Sequence, residues 1–236
     1  MERVPETVSR ILKEAQSEKR TVLLEPEAKE ICLAYNIPTP SFAVARSITE
    51  AGELAAKVRF PVVLKIVSQD ILHKTEAGGV VLDLRSKEQV HEGFKQIMAN
   101  VHGFNEKARI AGILVQHMAP KGVEVIVGGL RDSQFGPTVL FGLGGIFVEV
   151  FKDASFRMAP ITELDSEQMI KETHAYSVLQ GVRGQPAADE KAIIQILQAT
   201  SRIMMQNQVI QQMDLNPVIV YPSGANVVDA RVILSD

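Results

Sequence analysis

The C-terminal segment constrains the chain most. Met213-Asp214-Leu215-Asn216-Pro217-Val218-Ile219-Val220-Tyr221 and Asn226-Val227-Val228-Asp229-Ala230-Arg231-Val232-Ile233-Leu234 flank a Pro-Ser-Gly turn, which reads as a β-hairpin across residues 222–225. Successive side chains of a strand point to opposite faces, so alternation puts Asp214, Asn216, Asp229 and Arg231 on one face. Leu215, Pro217, Ile219, Val228 and Val232 take the other, which is the core face. Oxygen ligands beside an arginine suit a hard cation carrying a phosphorylated ligand, because Mg²⁺ takes a few carboxylate or amide oxygens and fills its remaining positions with phosphate and water. That reading points to a nucleoside triphosphate. The alternative is a solvent-facing hairpin whose polar face needs no ligand.

Upstream, the hydrophobic period alternates between helix and strand. Residues 1–20 carry Val8, Ile11, Leu12 and Ala15 on one stripe and predict a helix lying on the domain or on a partner. Glu27–Tyr35 is a second helix, with Pro26 in its first turn, Ala28, Ile31, Cys32 and Tyr35 as its buried stripe and Pro38 as its end. Ser47 and Glu50 have capping-box spacing ahead of a third. Strands follow at Pro61–Val67 and Val80–Leu84, joined by the loop Ser68–Gly79. A helix over Ser86–Val101 and a strand over Ile113–Met118 come next, and Ala119-Pro120-Lys121-Gly122 breaks the pattern as a hinge. Beyond it, short strands at Val123–Val127 and Thr138–Phe141 precede helices from Asp165 to about Leu179 and from Asp189 to about Gln206. The order predicts an α+β fold in two layers around a cleft.

Several residues carry chemistry. Lys65 lies in Val62-Val63-Leu64-Lys65-Ile66-Val67, apolar enough to be buried on both faces, where an ammonium requires an anion; otherwise it snorkels from an edge strand. His73, in a polar loop closed by Gly78-Gly79, is free to move and is chemically competent as a nucleophile toward phosphorus, although a loop histidine without a role satisfies the same pattern. Gly128-Gly129 and Gly142-Leu143-Gly144-Gly145 permit close approach of backbone to phosphate, or are turns. Neither has P-loop or Rossmann spacing. Glu124 has the reach to bind a ribose hydroxyl, or is a solvated strand side chain. Arg157, after a run containing Glu149, Lys152 and Asp153, is a phosphate ligand or one half of a surface ion pair.

Other chemistries are set aside. His91, His102, His117 and His174 have no zinc-type spacing. The single cysteine, Cys32, reads as a buried thiol. A net charge of -3 gives no electrostatic footprint for nucleic acid. No stretch resembles a signal peptide or a membrane span, so the expected location is the cytoplasm.

Four ordered motifs, Pro61-Val62-Val63-Leu64-Lys65, Leu72-His73-Lys74-Thr75-Glu76-Ala77-Gly78-Gly79-Val80, Phe135-Gly136-Pro137 with Phe141-Gly142-Leu143-Gly144-Gly145, and Asp214-Leu215-Asn216-Pro217, carry a resemblance. The chain from Leu24 to Leu234 is similar to the ATP-grasp subunit of the NDP-forming acyl-CoA synthetases, the β chain of ADP-forming acetate–CoA ligase, and more distantly to the β chain of succinyl-CoA synthetase. The resemblance implies an ATP-grasp fold whose two subdomains clasp a nucleotide: a helical extension over 1–22, an N-terminal subdomain with a mobile histidine loop over 23–118, and a C-terminal subdomain with the metal-binding hairpin over 119–236. It implies that Lys65 holds phosphates of ATP or ADP, that Gln116, His117 and Met118 line the adenine pocket, that Glu124 contacts ribose, and that Asn216 and Asp229, beside Asp214, bind Mg²⁺. His73 matches the family's second phosphohistidine, in a relay that interconverts acyl-CoA, ADP and phosphate with carboxylic acid, ATP and CoA. Gln212 departs from the pattern, which has an acidic residue two positions before Asp214. The CoA-binding and first phosphohistidine domains have no counterpart in these residues, so the resemblance implies a partner α subunit. Two other readings compete: a self-sufficient ATP-grasp carboxylate ligase, and a nucleotide-binding regulatory module.

Overall fold

Helix α1 (Glu6–Ser17) buries Val8, Ile11, Leu12 and Ala15, the stripe expected from their spacing. A helix this short is marginal alone in water. Burial of each large apolar side chain supplies about 1.5–3 kcal/mol, so packing, not propensity, holds α1 in place. A computed structural model of the chain describes residues 4–71, 73–144, 153–181 and 186–235. In chain order the next elements are α2 (Glu25–Ala34), β1 (Phe42–Ala45), α3 (Ile48–Val58), β2 (Val62–Ser68), β3 (Val80–Leu84), α4 (Lys87–Phe104) and β4 (Ile110–His117). They are followed by β5 (Val123–Asp132), β6 (Gly136–Leu143), β7 (Ala154–Met158), α5 (Glu163–Lys171), α6 (Ala175–Leu179), α7 (Glu190–Gln206), β8 (Ile210–Val220), β9 (Ala225–Val227) and β10 (Ala230–Leu234).

These elements form two compact units. One comprises Leu24–Pro26 and Pro40–Pro120; the other comprises Met1–Leu23, Glu27–Thr39 and Lys121–Asp236. The boundary at Pro120 falls in the segment read as a hinge. Residues 27–39, however, group with the C-terminal half and not with the 23–118 block expected from sequence, because Ala28, Ile31, Cys32 and Tyr35 of the α2 region share a core with α1, α7 and the terminal strands.

The smaller unit is an antiparallel sheet in the order β1-β4-β2-β3. Its core joins Val62, Leu64 and Ile66 of β2 with Ala51 and Ala55 of α3 and Val90, Ile97 and Val101 of α4. Both helices start on a serine: Ser47 accepts from the Glu50 amide at 3.2 Å, and Ser86 from the Gln89 amide at 3.3 Å. Each satisfies a donor that the first turn leaves free.

The larger unit is a sheet ordered β10-β8-β5-β6-β7, with β9 also paired to β8. Helix α7 buries Ile193, Ile196, Leu197, Thr200 and Met204 against it, and Asp189 caps the helix by accepting from the Ala192 amide at 3.1 Å. The helix expected from Asp165 to Leu179 is two helices, α5 and α6. Thr162 is the cap and Asp165 its reciprocal partner. Strands β5 and β6 run well past the short segments expected, and Gly128 and Gly129 lie inside β5, not in a turn. The reason is packing: a Cβ on Gly129 would stand 2.6 Å from Cγ of Met204 on α7.

The terminal ribbon departs from simple alternation. Met213 and Leu215 are buried core residues, and beyond them Val218, Val220 and Val227 join the core; Ile219 is buried as expected, whereas Pro217 and Val228 are only partly buried. Val127 pairs with Leu215 while Val125 pairs with Val218, so two residues of β8, Asn216 and Pro217, oppose one of β5. This is a β-bulge, which advances the strand's phase by one residue and re-aims the side chains beyond it.

Candidate functional site

In the larger unit, β10 runs antiparallel to β8 with Arg231 directly opposite Asp214, and the Asn216 amide donates to the Asp229 carbonyl at 3.2 Å. Asp214, Asn216 and Asp229 thus meet at the bulge. Two further contacts hold the stretch between β9 and β10: the Nζ of Lys29 donates to the Val228 carbonyl at 2.7 Å, and the Val227 amide donates to the Pro38 carbonyl at 2.8 Å. Lys29 is wholly buried. Sequence reading missed it, since it sits off the apolar stripe of its helix; commitment to a carbonyl is what lets an ammonium be buried there.

The Asp214 carboxyl is held above the ordinary carboxylate range, first by burial and then by the neighbouring Asp229 charge, with Arg231 pulling the other way. Its Oδ1 is buried and has no hydrogen-bond partner among the described residues. An orphaned carboxylate oxygen beside a second carboxylate and an amide is what a divalent cation relieves. Among the described residues no group of three or more His, Cys, Asp or Glu converges. Mg²⁺ uses one or two carboxylates and leaves room for phosphate and water. Gly128 lies opposite Asp214 on the β5 side.

Glu124, at the start of β5, is exposed, and its carbonyl accepts from the Gly144 amide at 2.9 Å. A Cβ on Gly144 would meet the Glu124 backbone at 2.9 Å, so that glycine serves close packing of the two strands. Arg157 on β7 is committed to protein: it bonds the Glu172 carboxylate and donates to the Phe156 carbonyl at 2.9 Å. Of the two readings left open for it, the ion pair is the one present, and it holds the Glu172 carboxyl below its usual range. Gly145, Glu149 and Lys152 lie outside the described residues.

In the smaller unit, Lys65 is buried on the middle of β2, opposite Leu114 of β4 and Val80 of β3. The anion its burial demands is Glu25: Nζ lies 2.7 Å from Oε1. Nζ of Lys74 lies 3.0 Å from Oε2 of the same carboxylate. Glu25 was not singled out from sequence because it sits 40 residues away at the start of a helix, where an acidic residue is ordinary. Gln116 is fully buried on β4, between Phe42 and Val63. His117 Nδ1 lies 2.8 Å from the Arg59 carbonyl, and the Met118 amide donates to the Pro61 carbonyl at 2.9 Å, so the end of β4 is pinned at three successive residues.

The His73 side chain is 69% exposed, with Glu76 3.8 Å away. Contacts hold its loop at several points in this structure. Ile71 and Ala77 are buried on either side, Asp70 pairs with Arg109 at 2.9 Å, and Asn100 donates to the Gly78 carbonyl at 3.0 Å. The two glycines expected to supply motion have other work. Gly78 has φ +61°, and a Cβ on Gly79 would strike Ile66 at 2.5 Å. Leu72, the first residue of the histidine motif, is outside the described residues.

Residues 14–234 match the ATP-grasp domain family. The chain is 45% identical over 224 residues to the β subunit of acetate–CoA ligase [ADP-forming] I of Pyrococcus furiosus, covering 95% of this chain and 96% of that one. It superposes with a TM-score of 0.94 and 50% identity on the dinucleotide forming acetyl-coenzyme A synthetase 1 of Ca. Korarchaeum cryptofilum in complex with coenzyme A, Ca-AMPCP and HgCl+, covering 96% of this chain and 99% of that one. A second structure of that enzyme, with coenzyme A and Mg-AMPPCP and its phosphohistidine segment pointing towards the nucleotide binding site, gives 0.86 and 47%, covering 97% of this chain and 100% of that one. Among the described residues no helix is long and apolar enough to cross a membrane. The two-sheet α+β architecture and these likenesses agree, and the chain belongs to the ATP-grasp family, among the β subunits of the ADP-forming acetate–CoA ligases.

Proposed function

We propose that this chain is the nucleotide-binding subunit of an ADP-forming acyl-CoA synthetase, passing a phosphoryl group between His73 and ADP. The observation that carries the reading is an accessible imidazole one residue from a lysine that shares a buried carboxylate with Lys65. Lys65 holds the nucleotide's phosphates, Gln116, His117 and Met118 line the adenine, and Glu124 meets the ribose. Asp214, Asn216 and Asp229 hold Mg²⁺, which when bound neutralises charge on the phosphate oxygens.

In the direction of histidine phosphorylation, the lone pair of the neutral His73 ring attacks the γ-phosphorus of ATP. The bond from that phosphorus to the bridging oxygen breaks, ADP leaves with the electron pair, and the ring gives up a proton to solvent. The reverse sequence makes ATP. Such a step depends on alignment and charge neutralisation, which the pinned end of β4 and the moored histidine loop supply. The acyl-CoA chemistry belongs to a partner α subunit carrying the CoA-binding and first phosphohistidine domains.

Mass spectrometry of the chain after incubation with Mg-ATP is the test. It is expected to place one acid-labile, base-stable phosphate on His73, absent from His73→Ala. The chain alone with acetyl-CoA, phosphate and ADP is expected to yield no ATP; ATP formation without an α subunit would refute the division of labour. A self-sufficient ligase or a regulatory module would bind Mg-ATP and leave His73 unmodified.

A further inference from the structure

Glu25 is not among the residues that the functional reading uses, yet its buried carboxylate faces two lysines of the smaller unit. Only 2% of its side chain is exposed, against 7% for Lys65 and 22% for Lys74. Its two oxygens are divided between the two ammonium groups, at 2.7 Å and 3.0 Å. One carboxylate thus faces two ammonium groups, and an ammonium is a phosphate ligand. Burial makes the arrangement stiff, because withdrawing either partner strands a charge away from water.

The backbone around Lys74 is equally constrained. Its carbonyl accepts from the Gly79 amide at 2.7 Å, and the His73 carbonyl accepts from the Ala77 amide at 3.1 Å. With Ile71 buried on one side and Ala77 on the other, the loop closes into a compact turn that leaves the histidine ring outside.

We propose that Glu25 and Lys74 are positioning residues for the phosphoryl-accepting histidine: by gripping Lys65 and Lys74 together, the Glu25 carboxylate ties the His73 loop to the lysine that receives the nucleotide's phosphates. The proposal rests on the roles given above to His73 and Lys65. A misplacement of about 1 Å in such an arrangement costs about a hundredfold in rate, so the clamp acts on the transfer step more than on nucleotide affinity.

The experiment measures Mg-ATP binding by calorimetry and the rate of His73 phosphorylation at saturating Mg-ATP, on the full chain and its Lys74→Ala, Lys74→Arg and Glu25→Gln variants. For Lys74→Ala the transfer rate is expected to fall by about tenfold or more while the ATP dissociation constant stays within about threefold. Lys74→Arg is expected to recover most of the rate, because a guanidinium reaches the same carboxylate. Glu25→Gln releases both lysines and is expected to lose rate and affinity together. Should Glu25→Gln not fold, the Lys74 pair decides alone. A Lys74→Ala chain phosphorylated at the wild-type rate overturns the proposal, as does a loss of rate and affinity in equal proportion, which would make Lys74 a phosphate ligand only. Absence of phosphate on His73 in the wild-type chain sinks the functional reading and the clamp together; normal wild-type phosphorylation with an unaffected Lys74→Ala sinks the clamp alone.

Discussion

Replacing Asp214 with Asn is expected to stabilise the ligand-free chain and to abolish most of its response to Mg-nucleotide. The Asp214 carboxyl is raised above its ordinary 3.8 by burial and by Asp229, so its ionised form is disfavoured in the folded state. Since the folded value lies above the unfolded one, the folded state binds the proton more tightly, and stability falls as pH rises through the titration. The penalty is absent well below pH 3.8 and present at neutral pH. Relief of a strained functional site typically gives about 0.5–2 kcal/mol. For a chain of this size each kcal/mol moves the melting temperature by about 2–4 °C. The opposite effect comes from the ligand: at a hundred times its Kd, Mg-ADP adds about 2.7 kcal/mol, and a hundredfold weaker Kd leaves about 0.4 kcal/mol. Thermal melts at pH 7.5 with and without Mg-ADP therefore have opposite expected signs for Asp214→Asn. If the variant melts below wild type without ligand, or retains the full Mg-ADP shift, the assignment of Asp214 to the cation is wrong.

Two further outcomes follow from the contacts. Lys29→Met removes a charged hydrogen bond to the Val228 carbonyl and is expected to cost about 1.5–3 kcal/mol in urea unfolding and to weaken the Mg²⁺ dependence of nucleotide binding; an unchanged midpoint with normal Mg²⁺ dependence would remove Lys29 from the site. Asp70, lowered to about 2 chiefly by its bond to Arg109, contributes stability present above pH 3.8 and lost as the pH falls towards 2. NMR titration is expected to show its carboxyl returning towards 3.8 in Arg109→Ala, and no change would refute the pairing.

Where the pattern is local, sequence reads this fold well. Ser47 and Ser86 cap helices because a side-chain oxygen three residues before an amide is sufficient in itself, and β2 announces itself through an unbroken apolar run. Lys65 shows the limit of the method. Its need for an anion is visible from its neighbours, whereas the identity of that anion depends on a tertiary contact. Lys29 fails to stand out for the same reason. Gly129 misleads because a glycine required by a close helix looks, in one dimension, like a glycine required by a turn. The phase change at Asn216-Pro217 is set by the pairing of β8 with β5, so alternation in β8 alone reads Leu215 correctly and misses that Val218 and Val220, beyond the bulge, also turn to the core.

The interleaved chain path of the larger unit bears on how the protein is made. Its outermost strand, β10, is bordered by residues from the opposite end of the polypeptide: the Leu23 amide donates to the Val232 carbonyl at 3.0 Å and the Leu234 amide to the Thr21 carbonyl at 2.7 Å. During synthesis these early residues have no mate until β10 emerges, whereas nearly all of the smaller unit, from Pro40 to Pro120, has left the ribosome long before. Domains fold as units in the order they emerge. The strand bearing Lys65 and the loop bearing His73 are therefore assembled before the ribbon that carries Asp214 and Asp229.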